Sequence, residues 1–135
     1  LTAATKHFFR QATDAVEDHV AALHGARERV NAYLQAVGEA LDPASDRFMA
    51  DLDAFAPARE IYEQNTRIAA RRVHELIAAG VAAGEVRDVH AAFAAELVAT
   101  MMVRIQQRAV RDRTGLDDAA AYRELAAILT GGIQV

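Results

Sequence analysis

The stretch from Val89 to Val103 constrains this chain more than any other, because only His90, Glu96 and Thr100 interrupt an otherwise apolar run. A helix that is apolar on one stripe packs against one layer, whereas one apolar over most of its circumference must be covered on two sides. In a chain of 135 residues, one of those covering surfaces is expected to belong to a second copy. The run stops short of the ~18 consecutive apolar residues that mark a membrane span. No membrane partner is therefore expected.

A length of 135 residues suits one domain with a real core. The absence of Cys excludes a disulfide framework and any thiolate metal site, and with no signal-peptide pattern the default compartment is cytoplasmic. Fifteen Lys and Arg against nineteen Asp and Glu leave a formal charge of -4. That is the wrong sign for a surface that gains affinity from phosphates, so these residues are not expected to bind nucleic acid by themselves. The first residue is Leu1 rather than Met, and the expectation is that an amino-terminal part lies outside the sequence.

Ala dominates, Pro occurs only at Pro43 and Pro57, and no period-two alternation of β-branched residues is present. The chain reads as all-α, a single helical bundle of about six helices spanning residues 1–135. A first helix, capped by Thr5 and ending near Gly25, carries Phe8, Phe9, Ala12, Val16, Val20 and Leu23 on one stripe, with His19 inside it. A second runs from Ala26 to Leu41 with Val30, Tyr33, Leu34 and Val37 inward, and Asp42-Pro43 stops it. Ser45 caps a short third helix bearing Phe48, Met49, Leu52 and Phe55. The fourth, Ala58 to Ala83, is closed by Gly84 and presents Ile61, Tyr62, Ile68, Ala69, Val73, Leu76 and Ile77. Asp88 caps a fifth that extends through Arg113 to Gly115, and Asp117 or Asp118 opens a sixth carrying Ala121, Tyr122, Leu125, Ile128 and Leu129.

Signatures of catalysis and metal binding fail one by one. A di-iron bundle needs Glu three residues before His, and none of His7, His19, His24, His74 or His90 has it. His74-Glu75 begins like a zinc-protease helix, but Ala78 stands where the second His belongs. The glycines punctuate helix ends rather than form a phosphate loop after a strand. The sequence therefore points away from an enzyme, and no metal or cofactor is expected.

Polar residues inside apolar stripes carry the functional reading. On the fourth helix Asn65 and Arg72 share a face with Ile61, Ile68 and Leu76, and on the fifth Arg104 lies in the arc of Phe93, Leu97 and Met101. A buried guanidinium needs a partner, so each Arg either pairs internally, snorkels to water, or faces a ligand. The ligand reading gives a mostly apolar cavity lined by Phe48, Phe55, Tyr62, Asn65, Arg72, Phe93, Leu97, Met101 and Arg104, with His19 either a contact or a satisfied core histidine. Val98, Met102, Ile105 and Ala109 lie roughly opposite the Val89–Phe93 side of the fifth helix, and with Tyr122, Leu125 and Leu129 of the sixth they are the expected two-fold homodimer interface.

Three segments, in this order, resemble the carboxy-terminal regulatory domain of TetR-family bacterial transcriptional repressors. Thr5-Lys6-His7-Phe8-Phe9 is similar to the opening of the helix that follows the DNA-binding headpiece in that family. Ile77 to Arg87, read as IAAGVAAGEVR, is similar to the turn out of the family's long central helix. The third is the ending: a long apolar helix, the Asp117-Asp118 turn, and a last helix finishing LAAILTGG over Leu125–Gly132. A Gly frequent midway along the penultimate helix is replaced here by Met102-Val103-Arg104. The resemblance implies a homodimer whose regulatory domains each hold a small-molecule effector, and whose operator DNA is bound only through an amino-terminal helix-turn-helix headpiece missing from these residues. The competing reading is a stand-alone helical protein-interaction or scaffold module, which needs no cavity and would pair Arg72 and Arg104 internally.

Overall fold

The computed structural model describes residues 2–41 and 56–135. Among the described residues it contains six helices and no strand: α1 Thr2–Ala21, α2 Ala26–Leu41, α3 Ala56–Ala82, α4 Ala91–Gln106, α5 Ala109–Thr114 and α6 Asp118–Gly132. The short helix expected between Ser45 and Phe55 lies outside the described residues. No described helix is long and apolar enough to cross a membrane.

The amphipathic stripe of α2 puts Val30, Tyr33 and Leu34 at the centre of the core, where Val16 and Val20 of α1, Val73 and Ile77 of α3, and Tyr122, Ala126 and Leu129 of α6 pack together. α2 accordingly packs against three helices, α1, α3 and α6. Two glycines permit the closest approaches. A Cβ at Gly38 would lie 2.7 Å from Tyr122 Cβ, and one at Gly80 would run into Ala26 Cβ. These positions are glycine because a neighbouring helix occupies the space.

At one end of the bundle, three segments distant in sequence satisfy one another's helix termini. Gly84, with φ of +72°, closes α3: its N–H donates to Val81 O at 3.1 Å and that of Glu85 to Gly80 O at 2.9 Å, the paired bonds of a Schellman cap. The Glu85 carboxylate then accepts from Ala26 N at 2.6 Å, supplying the first turn of α2 with the acceptor its helix lacks. Arg27 Nε donates to Thr130 O at 3.2 Å and Arg87 Nε to Gly132 O at 2.6 Å, so two guanidiniums sit at the carbonyl-rich end of α6, where positive charge is favoured.

The apolar circumference of α4 resolves differently from expectation. Ala94, Ala95, Val98, Met102 and Ile105 face the protomer's own core, with Val98 fully buried, while Phe93 is 70% exposed and Leu97 48% exposed. Inside and outside are thus exchanged relative to the sequence reading, since hydropathy cannot rank two equally apolar faces. The cap of α4 is His90, whose Nδ1 accepts from Phe93 N at 3.1 Å, rather than Asp88. Nor does α4 continue unbroken to Gly115. It ends at Gln106, and Arg108 adopts a left-handed conformation with φ of 65° before α5 begins. Such a conformation costs a non-glycine residue on the order of 1 kcal/mol or more. An ion pair from Arg108 Nη1 to Asp118 Oδ2 at 2.6 Å braces the break against the start of α6. Asp117, not Asp118, caps that helix, accepting from Ala120 N at 2.8 Å.

Candidate functional site

The core carries a line of polar side chains contributed by five helices. At one side Arg72 of α3 donates through Nε to Glu17 Oε1 of α1 at 2.7 Å and through Nη1 to Glu75 Oε2 at 3.3 Å. The hydrogen bond it donates to Glu17 outweighs burial and holds the guanidinium pKa above its ordinary value. Tyr33 of α2 is buried beside this group, and burial first, then the Glu17 carboxylate, push its hydroxyl pKa well above the usual tyrosine range.

Further along the core, Gln106 of α4 donates from Nε2 to Thr66 Oγ1 of α3 at 2.9 Å, which ties the far ends of the antiparallel α3 and α4 together. Next to them stands Tyr122 of α6, only 1% exposed. Its hydroxyl has no hydrogen-bond partner among the described residues. Burial again raises its pKa, an effect opposed by the adjacent Gln106 amide and reinforced by Asp118 and Tyr33. Both phenols are therefore protonated at neutral pH. An unpaired buried hydroxyl costs roughly 1–3 kcal/mol in lost hydration.

The residues expected from the sequence are distributed as follows. Arg72 is committed to Glu17 and Glu75, so its charge is met inside the chain and does not stand open to a ligand. Of the expected α3 stripe, Ala69, Val73, Leu76 and Ile77 are buried as read, whereas Ile68 is 43% exposed and Thr66 is buried instead; Arg72 lies at the rim. His19 is exposed, one position off the inward Val16–Val20 stripe. Phe93 and Leu97 lie on the outer face of α4, Met101 is half-buried against the core, and Arg104 is half-buried without an ion-pair partner among the described residues. Phe48 and Phe55, and the side chains of Tyr62 and Asn65, lie outside the described residues. Of the expected interface set, Val98, Met102, Ile105, Tyr122 and Leu129 are spent on the chain's own core, and Ala109 and Leu125 are half-buried. The chain itself covers that side of α4.

Glu17, Tyr33, Thr66 and Gln106 were not anticipated as members of a polar group. Thr66 alone had a usable signal, standing three residues before Ala69 and seven before Val73 on one helical stripe. Among the described residues no three His, Asp or Glu side chains gather as a metal site. Compared with family models, with curated proteins and with solved structures, the chain matches none of them.

Proposed function

We propose that this chain is the effector-sensing and dimerisation domain of a TetR-type bacterial transcriptional regulator, non-catalytic, with DNA contact made by a separate helix-turn-helix headpiece. The observation that carries the sensing part is the partnerless Tyr122 hydroxyl in the middle of an all-α core. A mostly apolar site with one or two fixed donors is the usual chemistry of a small-molecule pocket. With Arg72 held by two carboxylates and Arg108 paired to Asp118, the donor deepest in the core is the uncharged Tyr122 hydroxyl. The effector class this fits is a neutral, largely apolar molecule bearing one carbonyl or similar acceptor. A ligand regulates only through different affinity for two arrangements of the protein, and a hydroxyl bonded in one arrangement and orphaned in the other supplies that difference.

The scaffold reading draws on one observation of its own, the internal pairing of Arg72. Nile red, an apolar dye with a carbonyl acceptor, separates the two. Sensing predicts saturable binding at one dye per chain, weakened several-fold by Tyr122→Phe. Titration without saturation overturns the sensing reading and leaves the scaffold.

A further inference from the structure

The outer face of α4 is built to meet itself. Phe93, Leu97 and Val103 are 70%, 48% and 40% exposed, and Thr100 sits between them, also exposed. Glu96 lies four residues before Thr100 and Arg104 four after it. Both are one helical turn from the centre of the face, and neither has a charged partner among the described residues. They cannot pair with each other, because eight residues of helix separate them by about 12 Å along the axis. An antiparallel copy turned about a two-fold axis at Thr100 sets each residue before position 100 against its mirror after it. Glu96 then faces Arg104 of the partner subunit, Leu97 faces Val103 of the partner subunit, and each pairing occurs twice.

We infer that α4 pairs antiparallel with α4 of a second copy about a two-fold axis through Thr100, closed by reciprocal Glu96–Arg104 ion pairs over an apolar contact of Phe93, Leu97 and Val103. This rests on the dimerisation part of the proposed function and adds its face and register. Self-complementarity of this kind is what a closed two-fold contact requires, since the same patch must serve as both partners. A parallel pairing would bring like charges together.

The chain has no cysteine, so Thr100→Cys introduces a single thiol whose only possible disulfide joins two copies. Packed helices with axes about 8–10 Å apart bring facing Cα atoms within disulfide reach. Mild oxidation is expected to convert Thr100→Cys to covalent dimer, while Cys introduced at Glu124, on another helix, stays monomeric under the same treatment. In sedimentation equilibrium, Glu96→Arg and Arg104→Glu are each expected to raise the dissociation constant about tenfold or more, and the double reversal to return it near wild type. A wild-type dimer that neither cross-links through position 100 nor recovers in the double reversal overturns the register while dimerisation stands. A wild-type monomer at high micromolar concentration overturns both. Circular dichroism of each variant reports the fold independently, and since the substituted residues do not enter the protomer's core, retained helicity is expected.

Discussion

Replacing Gly38 with alanine forces the question of how closely α2 and α6 meet. A Cβ at that position would stand 2.7 Å from Tyr122 Cβ, 3.0 Å from its Cγ and 3.2 Å from its Cδ2, where carbon atoms in contact rest about 3.5–4.0 Å apart. Turning the Tyr122 side chain cannot relieve the first clash, because Cβ is fixed by the backbone. The two helices must therefore part by just under about 1 Å, loosening the packing of Leu34 and Leu129 along with it. Overpacking of this kind costs about 1–3 kcal/mol, against a helix-propensity gain of about 1 kcal/mol for Ala over Gly. The expected net change runs from about zero to a loss of about 2 kcal/mol. Gly131 is the internal control: nothing lies within 4 Å of a Cβ there, so Gly131→Ala keeps only the propensity term and is expected to gain up to about 0.5–1 kcal/mol. Urea unfolding at one fixed protein concentration reads both as midpoint shifts at constant slope. A Gly38→Ala variant that gains as much stability as Gly131→Ala would refute the close approach.

Three further outcomes are expected. Glu85→Ala removes the acceptor for Ala26 N and should cost about 0.5–2 kcal/mol, as loss of a helix cap does; an unchanged urea midpoint would show that water replaces it freely. Tyr33 and Tyr122 hold their protons more tightly in the folded chain because burial disfavours the phenolates. The unfolded chain thus ionises first, and stability is whole below the ordinary tyrosine value of about 10 and declines above it. Midpoints measured from about pH 8 to about pH 11 should fall, less steeply in Tyr122→Phe; a flat profile contradicts the burial of both phenols. Val98→Ala should lose about 1–3 kcal/mol of core stability, whereas Phe93→Ala should leave helicity and melting of the protomer nearly unchanged and weaken self-association. The reverse ranking would mean that α4 faces the other way.

Periodicity made α2 legible in the sequence, because Val30, Tyr33, Leu34 and Val37 recur at helical spacing among polar Arg29, Asn31 and Gln35, and one rotation of the helix turns them all inward. The same method had no purchase on α4. Leu97 and Val98 are equally apolar, and what separates them is the geometry of α3 and α6, which no single helix encodes. In α3 the stripe of Ala69, Val73, Leu76 and Ile77 was legible, but hydropathy favoured Ile68 over Thr66, and Thr66 is the one buried because its hydroxyl has the Gln106 amide to meet. The break at Arg108 left no mark at all, since neither Gly nor Pro stands there and the ion pair that holds it comes from Asp118, ten residues on. Caps were easier: Gly84 and Asp117 act as their residue types suggest. The polar line was least visible, because each member is ordinary alone and becomes a group only when five helices converge.

The arginine and glutamate contacts that join the start of α2, the α3–α4 turn and the end of α6 bear on how the chain is made. Arg27 waits for Thr130, 103 residues later, and the apolar stripe of α2 waits for α6 with it. At ribosomal speeds of about 5–20 residues per second, that interval is on the order of 5–20 s. Through it α1, α2 and the growing α3 can associate, yet the side of α2 meant for Tyr122, Ala126 and Leu129 stays uncovered. Premature termination before α6 would release a chain with an open hydrophobic flank, a natural substrate for chaperones and proteases. Synthesis of α6 is the step that closes this flank of α2.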